Sequence, residues 1–236
     1  DNLFNMMNYL MHGYADDSKA FVKKNIKVIE PVQYPDLGVY HPRMKNRFSS
    51  DLDDLPTVIP DKRARGKVGL LLLRSYLISG NSGHYDPVIV ALEAQGFQVV
   101  PTFAAGLDSR PAIDAFFMKN GKVTIDALVS LTGFSLVGGP AYNDAKAAEE
   151  ILTKLNVPYI AAHPVEFQNL EQWGGSDRGL MPVESTIMVA IPELDGATVP
   201  MVYGGRPGAA KTTCQGCEQR CTFTEEQNPQ DMFTCI

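Results

Sequence analysis

An α/β fold, an open and mostly parallel sheet with helices on both faces, is predicted by three features of the sequence. Strand-length apolar runs alternate with helical stretches, and the connections are short. Glycines and polar residues also gather after each strand, where the crevice of an open α/β sheet lies.

Val68-Gly69-Leu70-Leu71-Leu72-Leu73 is a continuous apolar run, as a strand covered on both faces requires. Pro87 to Gln95 follows as a short helix, ended by Gly96. Phe97 to Pro101 is a second strand, and Pro111 to Lys119 a second helix with proline in its first turn. Ile125 to Leu131 is a third strand. Asp144 to Leu155 is an Ala-rich helix that starts on an acid, which suits its dipole. Pro158 to Ala161 is a fourth strand, and Val165 to Trp173 a short helix. Ser185 to Ile191 and Val199 to Tyr203 read as two more strands, joined antiparallel through a Pro-Glu-Leu-Asp-Gly hairpin turn. Three segments are therefore expected. Residues 1–66 are helical and then irregular, packing on or linking to the main domain; 67–206 form the α/β domain; 207–236 are a cysteine-containing tail. In the first of these, Leu3, Met6, Met7, Leu10 and Met11 share one helical face.

Composition excludes several classes. The chain has 236 residues and a formal net charge of −6, without the basic face of a duplex nucleic-acid binder. No apolar run approaches the roughly 20 residues of a membrane span. It opens on Asp1 with no signal pattern, so an internal fragment is expected, and all four cysteines fall after residue 213, which fits a reducing cytoplasm. There is no P-loop, no G-x-G-x-x-G after the first strand, and no G-x-S-x-G elbow.

Several strings resemble the magnesium chelatase H-subunit family. They are Gly38-Val39-Tyr40-His41-Pro42, His84-Tyr85, Phe103 to Asp108, Val129 to Pro140, and Pro192-Glu193-Leu194-Asp195-Gly196-Ala197, in family order over residues 36–206. Pro182 to Thr186 is similar to the bacteriochlorophyll-type versions. The related cobaltochelatase large subunit shares parts of the pattern. The resemblance implies a porphyrin-binding subunit that takes part in ATP-dependent Mg²⁺ insertion into protoporphyrin IX. It also implies an AAA+ motor of two other subunits that binds the ATP, and a fragment that is inactive by itself. Two alternatives stand beside it: a cobaltochelatase fragment acting on a corrinoid precursor, and a non-catalytic docking module for the motor.

Metal insertion needs a held macrocycle, a base for two pyrrole N–H protons, and hard oxygen ligands for Mg²⁺. His84 is a candidate base or axial contact; it is equally a helix-capping histidine. Glu193 and Asp195 are candidates for Mg²⁺ delivery or proton acceptance, or simply for a polar turn. Glu184, at the start of an expected apolar strand, faces either a cavity or water. Arg74 and Arg206 suit porphyrin propionates or surface salt bridges. Tyr85, Phe103 and Phe134, with Tyr76, offer aromatic faces or core packing. Gly133, Gly138, Gly139 and His163 complete the expected substrate-binding rim. Cys214, Cys217, Cys221 and Cys235 suggest a structural Zn²⁺ or Fe–S site, disulfides, or free thiols.

Overall fold

The computed structural model describes residues 2–14, 26–139, 142–208 and 234–235. It divides into two compact units, Asp1–Pro35 and Asp36–Ile236. In the first, helix α1 (Asn2–Tyr14) carries the expected apolar face, and all five residues of that face are exposed. The Asn2 amide both donates to and accepts from the Val32 backbone.

The second unit runs β1 (Leu37–Tyr40), β2 (Phe48–Ser49), β3 (Lys67–Leu73), α2 (Arg74–Ile78), α3 (Tyr85–Ala94), β4 (Gln98–Ala104) and α4 (Arg110–Phe116). A small ribbon follows, β5 (Met118–Lys119) and β6 (Lys122–Val123), and then β7 (Ala127–Ser130). Next come β8 (Gly138–Gly139), β9 (Tyr142–Asn143), α5 (Ala145–Leu155), β10 (Tyr159–Asn169) and α6 (Leu170–Gly174). The chain continues with α7 (Pro182–Glu184), a π-helical turn (Ser185–Ala190), α8 (Ile191–Leu194), β11 (Thr198–Arg206) and β12 (Thr234–Cys235).

The main sheet has the order β12-β11-β10-β7-β3-β4-β1-β2. Its five middle strands are parallel, and β1, β2 and β12 run antiparallel to their neighbours. The expected mostly parallel α/β sheet is present. Side-chain alternation on β3 explains its unbroken apolar run: Leu71 enters one core with α4 and α5, while Leu70 and Leu72 enter the other with α2 and α3. Asp144 caps α5 by accepting from the Ala147 N–H at 3.0 Å.

Four local expectations are corrected. Ser185 to Ile191 is helical and not a strand: its backbone bonds run within a continuous helix from Pro182 to Leu194 that changes pitch at a π turn. The Pro-Glu-Leu-Asp-Gly segment therefore ends a helix and makes no hairpin, and β11 runs parallel to β10. Val165 to Asn169 extends β10, because Val165 and Asn169 pair with Gly205 and Arg206. The stretch before residue 67 is not all irregular, since β1 pairs with β4 and joins the sheet.

Candidate functional site

The chain leaves β3 toward β4 on one side and then crosses to β7 on the other. The loops after β3 and β7 consequently diverge, and the crevice between them is where α/β sheets place ligands. Its floor is built from β7: the hydroxyls of Ser130 and Thr132 are 2.9 Å apart and buried. Gly133 follows with φ +78°, and a Cβ there would stand 3.3 Å from the His163 Cβ, so the loop lies tightly on β10. A shallow cleft beside it is lined by Leu73, Phe103, Gly106, Asp108, Thr132 and Phe134.

On the face covered by α2 and α3 sits an aromatic cluster. His84 is fully buried, its ring centroid 3.9 Å from Tyr85, 5.5 Å from Tyr76 and 5.9 Å from Tyr203. Burial pushes its imidazole down to about 3, so it stays neutral at ordinary pH. The Tyr85 hydroxyl accepts from the Leu73 N–H at 3.3 Å, and Tyr203 donates to the Leu131 carbonyl at 3.4 Å. This ties the cluster to the C-terminal ends of β3 and β7.

Beyond the cluster, Tyr76 donates to Glu166 Oε1 at 2.7 Å. Burial, chiefly, holds the Glu166 carboxyl above its usual range; nearby Glu184 adds to this, and Tyr76 and Arg206 oppose it. Glu184 is completely buried. Its Oε1 accepts from the backbone N–H of Glu166 (3.2 Å) and Phe167 (3.0 Å), and its Oε2 from Gln168 Nε2 (2.9 Å) and the Met181 N–H (3.2 Å). His163 is buried, with Nδ1 lacking a partner among the described residues, and burial lowers its affinity for a proton. The Nε of Arg206, at the end of β11, is likewise buried and unpartnered among them.

A second polar group lies on the opposite side of the sheet. Buried Asp195 accepts from Ser135 Oγ (2.8 Å), the Leu136 N–H (2.7 Å) and Asn143 Nδ2 (3.2 Å). It thereby holds the loop that carries β8 and β9, and Leu136 and Val137 of this loop belong to the core beneath α4 and α5. Gly138, at φ +124°, could not carry a Cβ without striking the Tyr142 carbonyl.

Residues 1–227 match the CobN/magnesium chelatase family model. The chain belongs to the CobN/magnesium chelatase family. It is 51% identical over 229 residues to the magnesium-chelatase H subunit of Cereibacter sphaeroides, a match that covers 93% of this chain and 19% of that protein. It is 37% identical over 235 residues to the chloroplastic magnesium-chelatase ChlH subunit of Oryza sativa subsp. indica, covering 94% of this chain and 17% of that protein. The catalytic subunit of cobaltochelatase from Mycobacterium tuberculosis shares the fold, with a TM-score of 0.56 and 20% identity, over 99% of this chain and 18% of that one. The chain thus spans about a fifth of the length of these family members.

Within this family chain the expected residues separate into groups. His84 and Tyr85 gather with Tyr76 on the face of α2 and α3, Arg206 acts on Glu166, which Tyr76 holds, His163 lies against Gly133, and Phe134 lines the cleft. Asp195, Gly138 and Gly139 lie with the other core, and Glu193 is exposed on α8. Arg74 faces Asp36 at 3.6 Å, and Phe103 is buried edge-on against Phe48. Glu184 sits in a helix, enclosed by N–H donors, and lines neither an open cavity nor a wet strand edge. Asp195 likewise spends its oxygens on Ser135, Leu136 and Asn143, in the segment that carries β8 and β9. Cys214, Cys217 and Cys221 lie outside the described residues, as does the Cys235 side chain, whose backbone pairs with Gly204. Among the described residues no group of three or more His, Cys, Asp or Glu is placed to hold a metal, and no helix is long and apolar enough to cross a membrane. Glu166 was missed by sequence reasoning: its stretch reads as a helix, which hides that β10 carries it to the rim.

Proposed function

We propose that this chain is part of the porphyrin-handling H subunit of a magnesium chelatase, and that its sheet rim forms one wall of the site where Mg²⁺ enters protoporphyrin IX. The observation that carries this reading is the high identity to a bacterial H subunit across nearly the whole chain. The rim supplies what the chemistry asks for. Arg206 and Arg74 are guanidinium groups suited to porphyrin propionates. Half-buried Phe134 offers an aromatic face at the cleft edge. Apart from the rim cluster, exposed Glu193 on α8 is a hard oxygen donor for Mg²⁺ on its way in. His84, enclosed and neutral, serves as a rigid wall. The chain has no P-loop, and ATP binding and hydrolysis belong to the partner motor subunits.

The test uses the full-length H subunit assembled with its motor subunits. Arg206→Ala and Phe134→Ala should each weaken protoporphyrin binding about tenfold in a fluorescence titration. Glu193→Ala should slow Mg²⁺ insertion while porphyrin binding is kept. Unchanged porphyrin affinity in both rim variants, with unchanged chelation in Glu193→Ala, refutes the reading.

A further inference from the structure

We propose that the apolar face of α1 is a docking surface for the remainder of the H-subunit polypeptide, the part outside this chain; this rests on the reading above that the chain is a piece of that subunit. The helix is built inside out. From Asn2 to Tyr14 it holds no Asp, Glu, Lys or Arg. Asn2, Asn5 and Asn8 recur at three-residue steps and form one stripe. That polar stripe is the covered one. Asn5 is buried, Asn2 and Asn8 are half-buried, and the Asn2 amide exchanges hydrogen bonds with the Val32 backbone at 2.8 and 3.0 Å. The apolar side faces outward: Leu3, Phe4, Met7, Leu10, Met11 and Tyr14 are each 40–77% exposed. A helix at the surface of a finished protein does the reverse.

At about 100° per residue, the apolar residues from Tyr9 round to Phe4 span an arc of roughly 220°. The arc exposes apolar area on the order of 800 Å², about what one side of a stable interface buries and more than a soluble monomer usually leaves open. Val28, Ile29 and Val32, on the segment that Asn2 holds, are exposed as well.

Charge, composition and chain length select the occupant. A lipid surface is a poor match, because interfacial helices set Lys and Arg beside their apolar face and α1 has neither. A transient partner is a poor match too. Such interfaces carry a polar rim, whereas an uncharged arc resembles a core cut in half. The methionines of the arc are flexible and fill irregular gaps, as a permanent contact requires. The family model includes α1, and the shared stretch is 19% of the Cereibacter sphaeroides H subunit, so most of such a polypeptide lies outside it. A contact within one polypeptide outcompetes the same contact between two, because tethering holds the partner at roughly millimolar local concentration. The inferred occupant is therefore an uncharged apolar groove elsewhere in the same subunit.

The experiment uses the full-length H subunit. Photoreactive benzoylphenylalanine replaces Phe4 and, in a second protein, Tyr9, at the two borders of the arc. Cross-linked peptides are identified by mass spectrometry at low and high protein concentration, with and without the motor subunits. The expected partner is a segment of the same polypeptide outside this chain, at a yield independent of concentration. Hydrogen exchange should show α1 amides slowed at least about 10³-fold relative to an unfolded peptide. Leu10→Glu should speed that exchange roughly 10- to 100-fold or more, since it removes a buried leucine. If Leu10→Glu unfolds the subunit, the cross-links made with the aromatic replacements still decide. Cross-links that rise with concentration, that need the motor subunits or that fall within this chain would overturn the proposal, as would an α1 without protection. If Arg206→Ala, Phe134→Ala and Glu193→Ala behave as wild type while α1 is protected and cross-linked in cis, the porphyrin reading of the rim fails and this inference stands. If those variants behave as expected and α1 stays open, only this inference fails.

Discussion

Replacing Glu184 tests how much the rim depends on one enclosed carboxylate. Four N–H groups converge on it, two per oxygen, at 2.9 to 3.2 Å. In Glu184→Gln the amide oxygen can still serve one pair of donors, but the NH₂ group must confront the other pair. Leaving two buried donors unsatisfied costs about 1–3 kcal/mol each. Gln168 can turn its own amide to relieve one clash, but its Nε2 also donates to the Gly179 carbonyl at 3.2 Å, so the turn forfeits that bond. The net expectation is a loss of about 2–3 kcal/mol. Glu184→Ala removes all four acceptor contacts, and water can reach only the more exposed Met181 side, so about 3–5 kcal/mol is expected. Either figure is a large share of the roughly 5–15 kcal/mol that holds a domain folded. Equilibrium urea unfolding, followed by the fluorescence of Trp173 on the helix directly after β10, reads the change as a lower midpoint at constant slope. A Glu184→Gln protein that unfolds at the wild-type midpoint would show that these donors find solvent, and the reasoning about the rim would be wrong.

Two other perturbations follow from the same packing. His84 has its proton affinity lowered by burial, to about 3, so the unfolded chain binds the extra proton below about pH 6.5 and the folded chain does not. Stability is therefore fully present above pH 6.5 and falls as pH drops toward 3; about 2 kcal/mol should be lost between pH 8 and pH 5. His84→Phe should flatten that part of a urea-midpoint profile, and an equally steep profile would refute the assignment. Glu93→Ala should destabilise the chain by about 2–4 kcal/mol in the same assay, because it strands the buried His41 Nε2, 2.9 Å from Glu93 Oε1, and frees Arg43. A change under about 1 kcal/mol would mean that water replaces the carboxylate.

The sheet was legible because burial on both sides leaves a local trace. Leu70, Leu71 and Leu72 fill two cores and so print an unbroken apolar run. The π-turned helix was not legible. Ser185 to Ile191 is rich in β-branched and apolar residues and mimics a strand, yet of its six π-turn residues only Met188 is buried. The extension of β10 depends on pairing with Gly205 and Arg206, about forty residues later, which no local pattern records. Strand β1 is hidden between Asp36 and Pro42 for the same reason. For the site, the strand ends visible in sequence put Tyr76 and His84 after β3 and Gly133 after β7, whereas His163 lies within β10, which runs on to Asn169. They did not reveal that the sheet would separate His84 from Asp195, nor that Glu184 would turn inward to hold Glu166. Those facts depend on side-chain direction across the sheet, which follows from register and not from composition.

The antiparallel edge formed by β1 and β2 has a consequence for synthesis. Leu37, Gly38 and Val39 take their partners from Thr102 to Ala104, about sixty residues later. At a ribosomal pace of about 5–20 residues per second, this hairpin waits several seconds with its bonding edge open. Arg43, Lys45, Arg47, Asp51, Asp53 and Asp54 crowd the same stretch, beside Pro42. Charges and proline are what keep an unclaimed edge from recruiting a stranger. The residues that later clasp α3, through Arg43 to Glu93 and Arg47 to Asp86, are thus also chaperones of their own nascent segment.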